Sequence, residues 1–273
     1  VKLVMTLLVR DEQDILRENI EFHLAQGVDK VIVTDNASTD STPDIVREYE
    51  RRGLARLILE PSDDYAQGKW VTRMARLAAA EEGADWVINN DADEFWWPRQ
   101  GDLRSAFESV PDEVGVVVCK RVNFVPRAED ERPFWQRMTV REVESFNDFG
   151  RPLPPKAAHR AHPEVTVRQG NHKIEDVDLG QKLDDARIEI LHFPMRSYAQ
   201  FENKIAKGGA AYARNKDLPK RTGRTWRLLY EKWQAGELPA YYDANVAGED
   251  GETELVSDER LADFFASHTP AGV

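Results

Sequence analysis

Ala84-Asp85-Trp86-Val87-Ile88-Asn89-Asn90-Asp91-Ala92-Asp93-Glu94-Phe95 decides the fold. Its apolar run has the length of a buried strand and ends in clustered carboxylates. Such a strand delivers hard anionic oxygens to the carboxyl edge of a sheet, where open α/β folds bind their ligands. Two aspartates one residue apart on extended chain point the same way. Asp91 and Asp93 can therefore share one divalent cation, or hold a cation and a ribose side by side. A solvated loop is the competing account. An aromatic wall of Phe95, Trp96 and Trp97 follows; Trp96, Trp97 and Trp135 offer either sugar-stacking faces or core packing.

Upstream of this run, strand and helix patterns alternate. Leu3–Leu8 and Lys30–Thr34 read as strands, separated by a helix over Asp14–Gln26 with Leu16, Ile20 and Leu24 on one stripe and Gly27 as its stop. Pro43 suits the first turn of a second helix that Gly53 closes. Ala55–Leu59 is a third strand. A third helix runs from Gln67 to about Glu82, with Trp70, Met74, Leu77 and Ala78 inward. Repeated strand–helix–strand units predict a parallel sheet with right-handed crossovers, an α/β fold.

Downstream the pattern loosens. Val114–Val118, Glu164–Arg168 and Arg187–Leu191 are strand candidates, and Tyr198–Arg214 and Arg224–Gln234 read as helices. Pro126–Pro155 is polar, aromatic and proline-bearing and reads as an inserted loop or lobe. The tail from Asp243 is acidic, with one amphipathic stretch near Leu261–Phe265.

The 273 residues suffice for one large domain or a domain with an appended lobe. A net charge of −12 excludes a general nucleic-acid binder, because phosphate backbones would be repelled. No apolar stretch reaches the ~18–20 residues of a membrane span. Leu3–Val9 is too short for a signal peptide, and the start at Val1 reads as a trimmed terminus. The single cysteine, Cys119, lies in an apolar run and reads as a buried thiol in a reducing, cytoplasmic setting. Against the acidic average, residues 196–227 hold nine Lys/Arg and two Asp/Glu. Lys204, Lys207, Gly208 and Ala211 share a helical stripe there. The stripe suits a diphosphate, with Gly208-Gly209 allowing a ligand close. Peripheral contact with an anionic membrane leaflet is the alternative.

Asp35-Asn36-Ala37-Ser38-Thr39-Asp40 directly follows the second strand, where Asp35 can accept from a nucleobase imide or a ribose hydroxyl. Asp40 reads as a turn residue. Lys69 and Arg73, four apart on the third helix, face the same side, as residues of a solvated helix face would. His192 in Leu191-His192-Phe193-Pro194 is the best histidine ligand candidate, with a hydrogen-bonded strand-end role as the alternative. His23 and His268 read as structural or solvated.

Arg10-Asp11-Glu12, the Asp35–Asp40 segment, Asp91-Ala92-Asp93-Glu94-Phe95 and His192-Phe193-Pro194-Met195-Arg196-Ser197 come in the order and spacing of family 2-like glycosyltransferases, and the chain resembles the subgroup related to family 92. The motif resemblance spans about residues 3–215 and is strongest in the first hundred. It implies a GT-A fold over 1–215, with a nucleotide-binding half (1–100) and an acceptor half (101–215) carrying an insertion at about 126–160. A C-terminal helical extension and acidic tail would occupy 216–273. It implies a nucleoside diphosphate sugar as donor, UDP-linked by analogy, and a glycan, lipid-linked or small-molecule hydroxyl as acceptor, with inversion. Thr6, Arg10 and Asp35 would hold the base, and a basic residue of the third helix, Lys69 or Arg73, would face base or phosphate. Asp91 would touch the ribose, and Asp93 would ligate Mn²⁺ or Mg²⁺. His192 would be a further ligand, one that suits Mn²⁺ better. The acceptor-activating base of family 2 lies in a Glu-Asp pair. Glu175-Asp176 matches superficially, in an unusual setting, and His172 is a third candidate.

Two other readings compete. An Asp-x-Asp phosphohydrolase would carry its pair after the first strand, trailed by Thr or Val, whereas here the pair follows the fourth and is trailed by Glu-Phe. A non-catalytic nucleotide or sugar-binding module on the same fold would lack metal ligands, yet both aspartates are present.

Overall fold

The first nine residues already set the core: Leu3, Val4, Met5, Leu7 and Val9 are all at most 1% exposed, as befits a strand covered on both faces. In the computed structural model, which describes residues 1–62, 66–214, 223–247 and 253–268, this strand lies inside the sheet. The elements in chain order are β1 (Leu3–Val9), α1 (Leu16–Ala25), β2 (Lys30–Asp35), α2 (Thr42–Arg51), β3 (Ala55–Leu59), α3 (Gln67–Ala80), β4 (Trp86–Asn90), β5 (Glu94–Pro98), α4 (Leu103–Glu108) and β6 (Val114–Asn123). Then come α5 (Phe134–Arg137), β7 (Val140–Glu142), β8 (Lys156–Arg160), β9 (Thr166–Val167), β10 (Ile174–Glu175), β11 (Gln181–His192), α6 (Tyr198–Arg214), α7 (Arg224–Gln234), α8 (Leu238–Ala247), β12 (Leu255–Ser257) and α9 (Arg260–Ser267).

Two compact units are formed, Val1–Arg121 with Pro154–Leu191, and Val122–Leu153 with His192–Val273. The first is built on a sheet of order β3-β2-β1-β4-β8-β6-β11-β5. Its β3-β2-β1-β4 block is parallel, and β8 runs antiparallel to both β4 and β6. The chain moves outward from β1 through β2 to β3, then returns to the other side of β1 with β4. That reversal is a topological switch point, with a crevice at the carboxyl ends of β1 and β4. This mixed α/β architecture is the expected GT-A fold.

Helix α3 seals one face. Val71, Met74, Ala75 and Ala78 pack on Val4, Ile32 and Val87, with Val165 and Val167 beside them. Each buried Val, Ile or Met side chain in this cluster contributes about 1.5–3 kcal/mol. Of the inward set expected for this helix, Trp70, Met74 and Ala78 are buried and Leu77 packs against the cluster.

Residues 126–160 do not form one insertion. Residues 126–153 belong to the second unit, whereas Lys156–Arg160 is strand β8 between β4 and β6. Lys-Ala-Ala-His-Arg lacks β-branched residues, so local propensity conceals the strand; its pairing with both neighbours makes it. The second unit contains the β7–β12 pair and a cluster of Phe201, Ile205, Leu229, Leu238 and Tyr242 from α6, α7 and α8. The boundary expected near 215 falls inside this unit. Among the described residues, no helix is long and apolar enough to cross a membrane.

Two histidines are fully buried in the first unit. His23 Nδ1 donates to Asn19 O at 2.8 Å, while its Nε2 accepts from the Trp96 backbone N–H at 3.2 Å. His159 Nδ1 contacts Arg160 O at 2.9 Å. Burial pushes both down to about 4. The unfolded chain, with histidines near 6.5, therefore takes up protons first. Stability is full above about pH 6.5 and is lost as the pH falls towards 4, by up to about 1.4 kcal/mol per pH unit per histidine. Urea midpoints at pH 7 and pH 5 test this, and equal midpoints would refute it.

Candidate active site

The turn after β4 is built by buried amides. Asn19 of α1 donates through Nδ2 to Ala92 O (2.9 Å) and Glu94 O (2.8 Å). Asn90 Nδ2 donates to Asn19 Oδ1 (3.3 Å) and Glu94 O (3.1 Å), and its Oδ1 accepts from Trp96 Nε1 at 3.0 Å. Asn89 joins β1 to β8, accepting from the Thr6 hydroxyl and donating to Ala157 O. Polar residues at the end of this strand thus satisfy the backbone that reverses into β5, which a sequence reading of Asn89-Asn90 leaves unexplained.

Asp91 emerges from this turn into an ionic cluster lying wholly within the first unit. Lys156 of β8, 1% exposed, forms an ion pair with Asp91 Oδ2, and its Nζ lies 3.4 Å from Glu94 Oε1. Arg121 Nη1 donates to the same Glu94 oxygen at 2.9 Å and its Nε to Pro154 O at 3.2 Å. Asn171 Nδ2 donates to Asp91 Oδ1 at 3.0 Å. Glu94 is fully buried, and its Oε2 has no hydrogen-bond partner among the described residues. Asp93, 3% exposed, lies in the turn between the two acids.

The loops at the carboxyl ends of β1, β2 and β3 are laced together. Asp11, at φ 53°, accepts through Oδ1 from the Thr39 N–H at 2.7 Å, and Asp40 accepts from the Gln13 and Thr42 N–H groups. Asn36 Nδ2 donates to Glu60 O and Ser62 O. Asp40 is therefore a turn residue, as expected. Asp35 differs. It is 3% exposed; Oδ2 accepts from the Ser38 N–H at 3.2 Å, and Oδ1 is buried with no hydrogen-bond partner among the described residues. Burial pushes its carboxyl above the usual range, against the Ser38 hydrogen bonds, and Asp11 and Asp40 push the same way.

The other expected site residues are distributed unevenly. Thr6 lies midway along β1, 1% exposed with its hydroxyl on Asn89, so it belongs to the sheet interior and not to the strand's end. Arg10 follows β1 directly and is half-buried. Arg73 is half-buried, with Nη1 3.3 Å from Glu60 Oε2, while Nε and Nη2 have no hydrogen-bond partner among the described residues. Lys69, one turn earlier, is exposed. Trp96 is fully buried and Trp97 stacks on Phe22 at 5.5 Å; Trp135 lies against Phe265. Core packing thus claims Trp96.

Of the three base candidates, Glu175 in β10 is paired with Lys173 (2.8 Å) and Arg168. Those hydrogen bonds hold it below the usual carboxylate range, the wrong direction for a group that must accept a proton. His172 Nδ1 donates to Pro155 O at 2.9 Å, and burial with Lys156 and Arg121 lowers it to about 3. Asp176 is exposed, at φ 70°.

Within the second unit, His192 ends β11 and is half-buried. Its Nδ1 lies 2.7 Å from Asn123 Oδ1. An amide oxygen only accepts, so Nδ1 carries the proton and Nε2 the lone pair a metal requires. Lys204 and Lys207 are half-buried on α6. The neighbouring glycines serve helix packing and not a ligand: a Cβ on Gly208 would come within 2.5 Å of Trp226, and one on Gly209 within 2.5 Å of Tyr230. Residues 215–222 of the basic segment lie outside the described residues.

Carboxylates thus stand at the ends of β2 and β4, on either side of β1, in a mixed α/β fold. Residues 4–226 match glycosyltransferase family 92, and the chain belongs to that family. It is a glycosyltransferase. Among solved structures it is similar to S. aureus TarS 1–349 in complex with UDP-GlcNAc (14% identity, 95% of this chain and 98% of that one, TM-score 0.49). It is also similar to the mannosyltransferase PcManGT from Pyrobaculum calidifontis in complex with GDP-Man and Mn²⁺ (17% identity, 97% of this chain and 79% of that one, TM-score 0.44). Glucosyl-3-phosphoglycerate synthase from Mycobacterium tuberculosis is similar over 45% of this chain and 44% of that one (20% identity, TM-score 0.32). No curated protein sequence matches the chain.

Proposed function

We propose that the chain is a metal-dependent transferase that moves a sugar from a nucleoside diphosphate sugar, UDP-linked in the leading form, to a hydroxyl acceptor with inversion. The observation that carries this reading is Asp35. A buried carboxylate at a strand's carboxyl end, with one oxygen lacking a donor, needs a ligand N–H or O–H, and a nucleobase imide or ribose hydroxyl supplies it. Arg10 directly follows Val9, the register partner of Asp35, and Arg73 offers guanidinium N–H groups to base or phosphate, with Lys69 exposed one turn away. Asp91 takes the ribose, because Lys156 already neutralises one of its oxygens.

Asp93 is the metal ligand proposed within the first unit, and His192, in the second unit, is the further ligand that the sequence resemblance implies. The buried Oε2 of Glu94, with no hydrogen-bond partner among the described residues, lies next to Asp93 in sequence and fits a cation; carboxylate oxygens suit Mn²⁺ or Mg²⁺. The ion would supply Lewis-acid neutralisation of the departing diphosphate. Lys204 and Lys207 on α6 are the basic residues proposed from the sequence for a diphosphate. Of the three base candidates, Asp176 remains: it has no ion pair among the described residues and is open to an acceptor hydroxyl. The acceptor class is a glycan, a lipid-linked glycan or a small hydroxyl compound.

Calorimetric titration of UDP, GDP and dTDP, each with Mn²⁺ and with chelator, tests the reading. Metal-dependent binding of one diphosphate is expected and names the base. No binding of any would overturn it in favour of a different ligand chemistry.

A further inference from the structure

Gln169-Gly170-Asn171-His172 forms a turn that is tied down by three hydrogen bonds. Gln169 Oε1 accepts from the Gly68 N–H at 3.2 Å, and Gln67 Oε1 accepts from the Gly170 N–H at 3.0 Å, fastening the turn to the start of α3. His172 is fastened to Pro155 O. Gly170, at φ 81°, lies so close to the His172 ring that a Cβ there would meet Nε2 at 2.5 Å. Asn171 itself sits at φ 62°, a left-handed conformation that non-glycine residues adopt at a cost, and it is 1% exposed.

The amide orientation of Asn171 follows from its neighbour. Asp91 Oδ1 only accepts, so the amide nitrogen must face it, as the 3.0 Å contact requires. Oδ1 then faces away, buried, with no hydrogen-bond partner among the described residues. A strained, buried side chain with an unused acceptor beside the acid after β4 is a site prepared for a donor. Asp91 retains accepting capacity, since each of its oxygens has taken one partner.

We propose that Asn171 is a donor-binding residue: its Oδ1 accepts from a hydroxyl of the nucleoside diphosphate sugar, so that Asp91 and Asn171 read neighbouring hydroxyls together. This rests on the transferase reading above. The hydroxyl belongs either to the ribose or to the transferred sugar, and both present the same O–H donor.

Asn171→Gly removes the amide while tolerating the positive φ, so the fold is kept; a thermal melt accompanies each titration. With Mn²⁺ present, UDP, GDP, their 2′-deoxy analogues, UDP-glucose and GDP-mannose are titrated into wild type and variant. A loss of tenfold or more for the ribonucleotide, absent for its 2′-deoxy analogue, supports the proposal with the ribose as source. Unchanged diphosphate binding with a loss of tenfold or more for the sugar nucleotide supports it with the sugar as source. Wild-type affinity of the variant for every ligand overturns the role of Asn171 and leaves the transferase reading standing. If wild type binds none of them, both fall.

Discussion

Asp93→Ala is expected to abolish metal-dependent donor binding and to lower kcat by about 10²–10³-fold or more, the range for removing a principal stabiliser of developing charge. Asp93 is buried in a turn whose backbone is held by Asn19 and Asn90. The variant is therefore expected to keep its circular dichroism spectrum. Calorimetry with and without Mn²⁺ checks the binding. A variant with unchanged metal dependence would remove Asp93 from the site. His192→Ala is expected to weaken metal affinity by a smaller factor, and no change would return His192 to a structural role.

Lys156→Met is expected to cost about 3–5 kcal/mol of stability, the range for removing one partner of a buried ionic cluster. Its ammonium is the counter-charge to both Asp91 and Glu94, and Arg121 pairs with Glu94. Without Lys156, Asp91 retains the Asn171 amide but no cation among these contacts. The expected signature is a lowered urea midpoint with an unchanged slope. A loss under about 1 kcal/mol would mean that water reaches the cluster and screens it.

Both expectations depend on a cluster only partly legible in the sequence. Asp91 and Asp93 announce themselves, because an apolar strand ending in acids has few structural uses. Their partners do not. Lys156 and Asn171 stand 65 and 80 residues from Asp91 along the chain. Lys156 lies on a strand with no strand-like composition, and Asn171 sits in a turn whose glycine and polar residues suggest only a turn. Thr6 shows the converse error. A residue near the end of a predicted strand reads as rim, but β1 continues to Val9 and buries it. Gly208-Gly209 likewise reads as room for a ligand, whereas Trp226 and Tyr230 of α7 fill the space.

The sequence by itself determined the strand–helix alternation of the first hundred residues, the bounds of β3, α6 and α7, and the acids at the ends of β2 and β4. These are local signals: hydrophobic period, helix stops and the polarity that ends a strand. Only the tertiary structure decided that β8 enters the sheet, that Lys156 neutralises Asp91, that Glu175 is bound by two cations, and that Asn171 and Asp35 each keep an acceptor in reserve. Those facts depend on which distant residues the sheet order brings together and on how deeply water is excluded there. Neither is encoded in any one window of sequence.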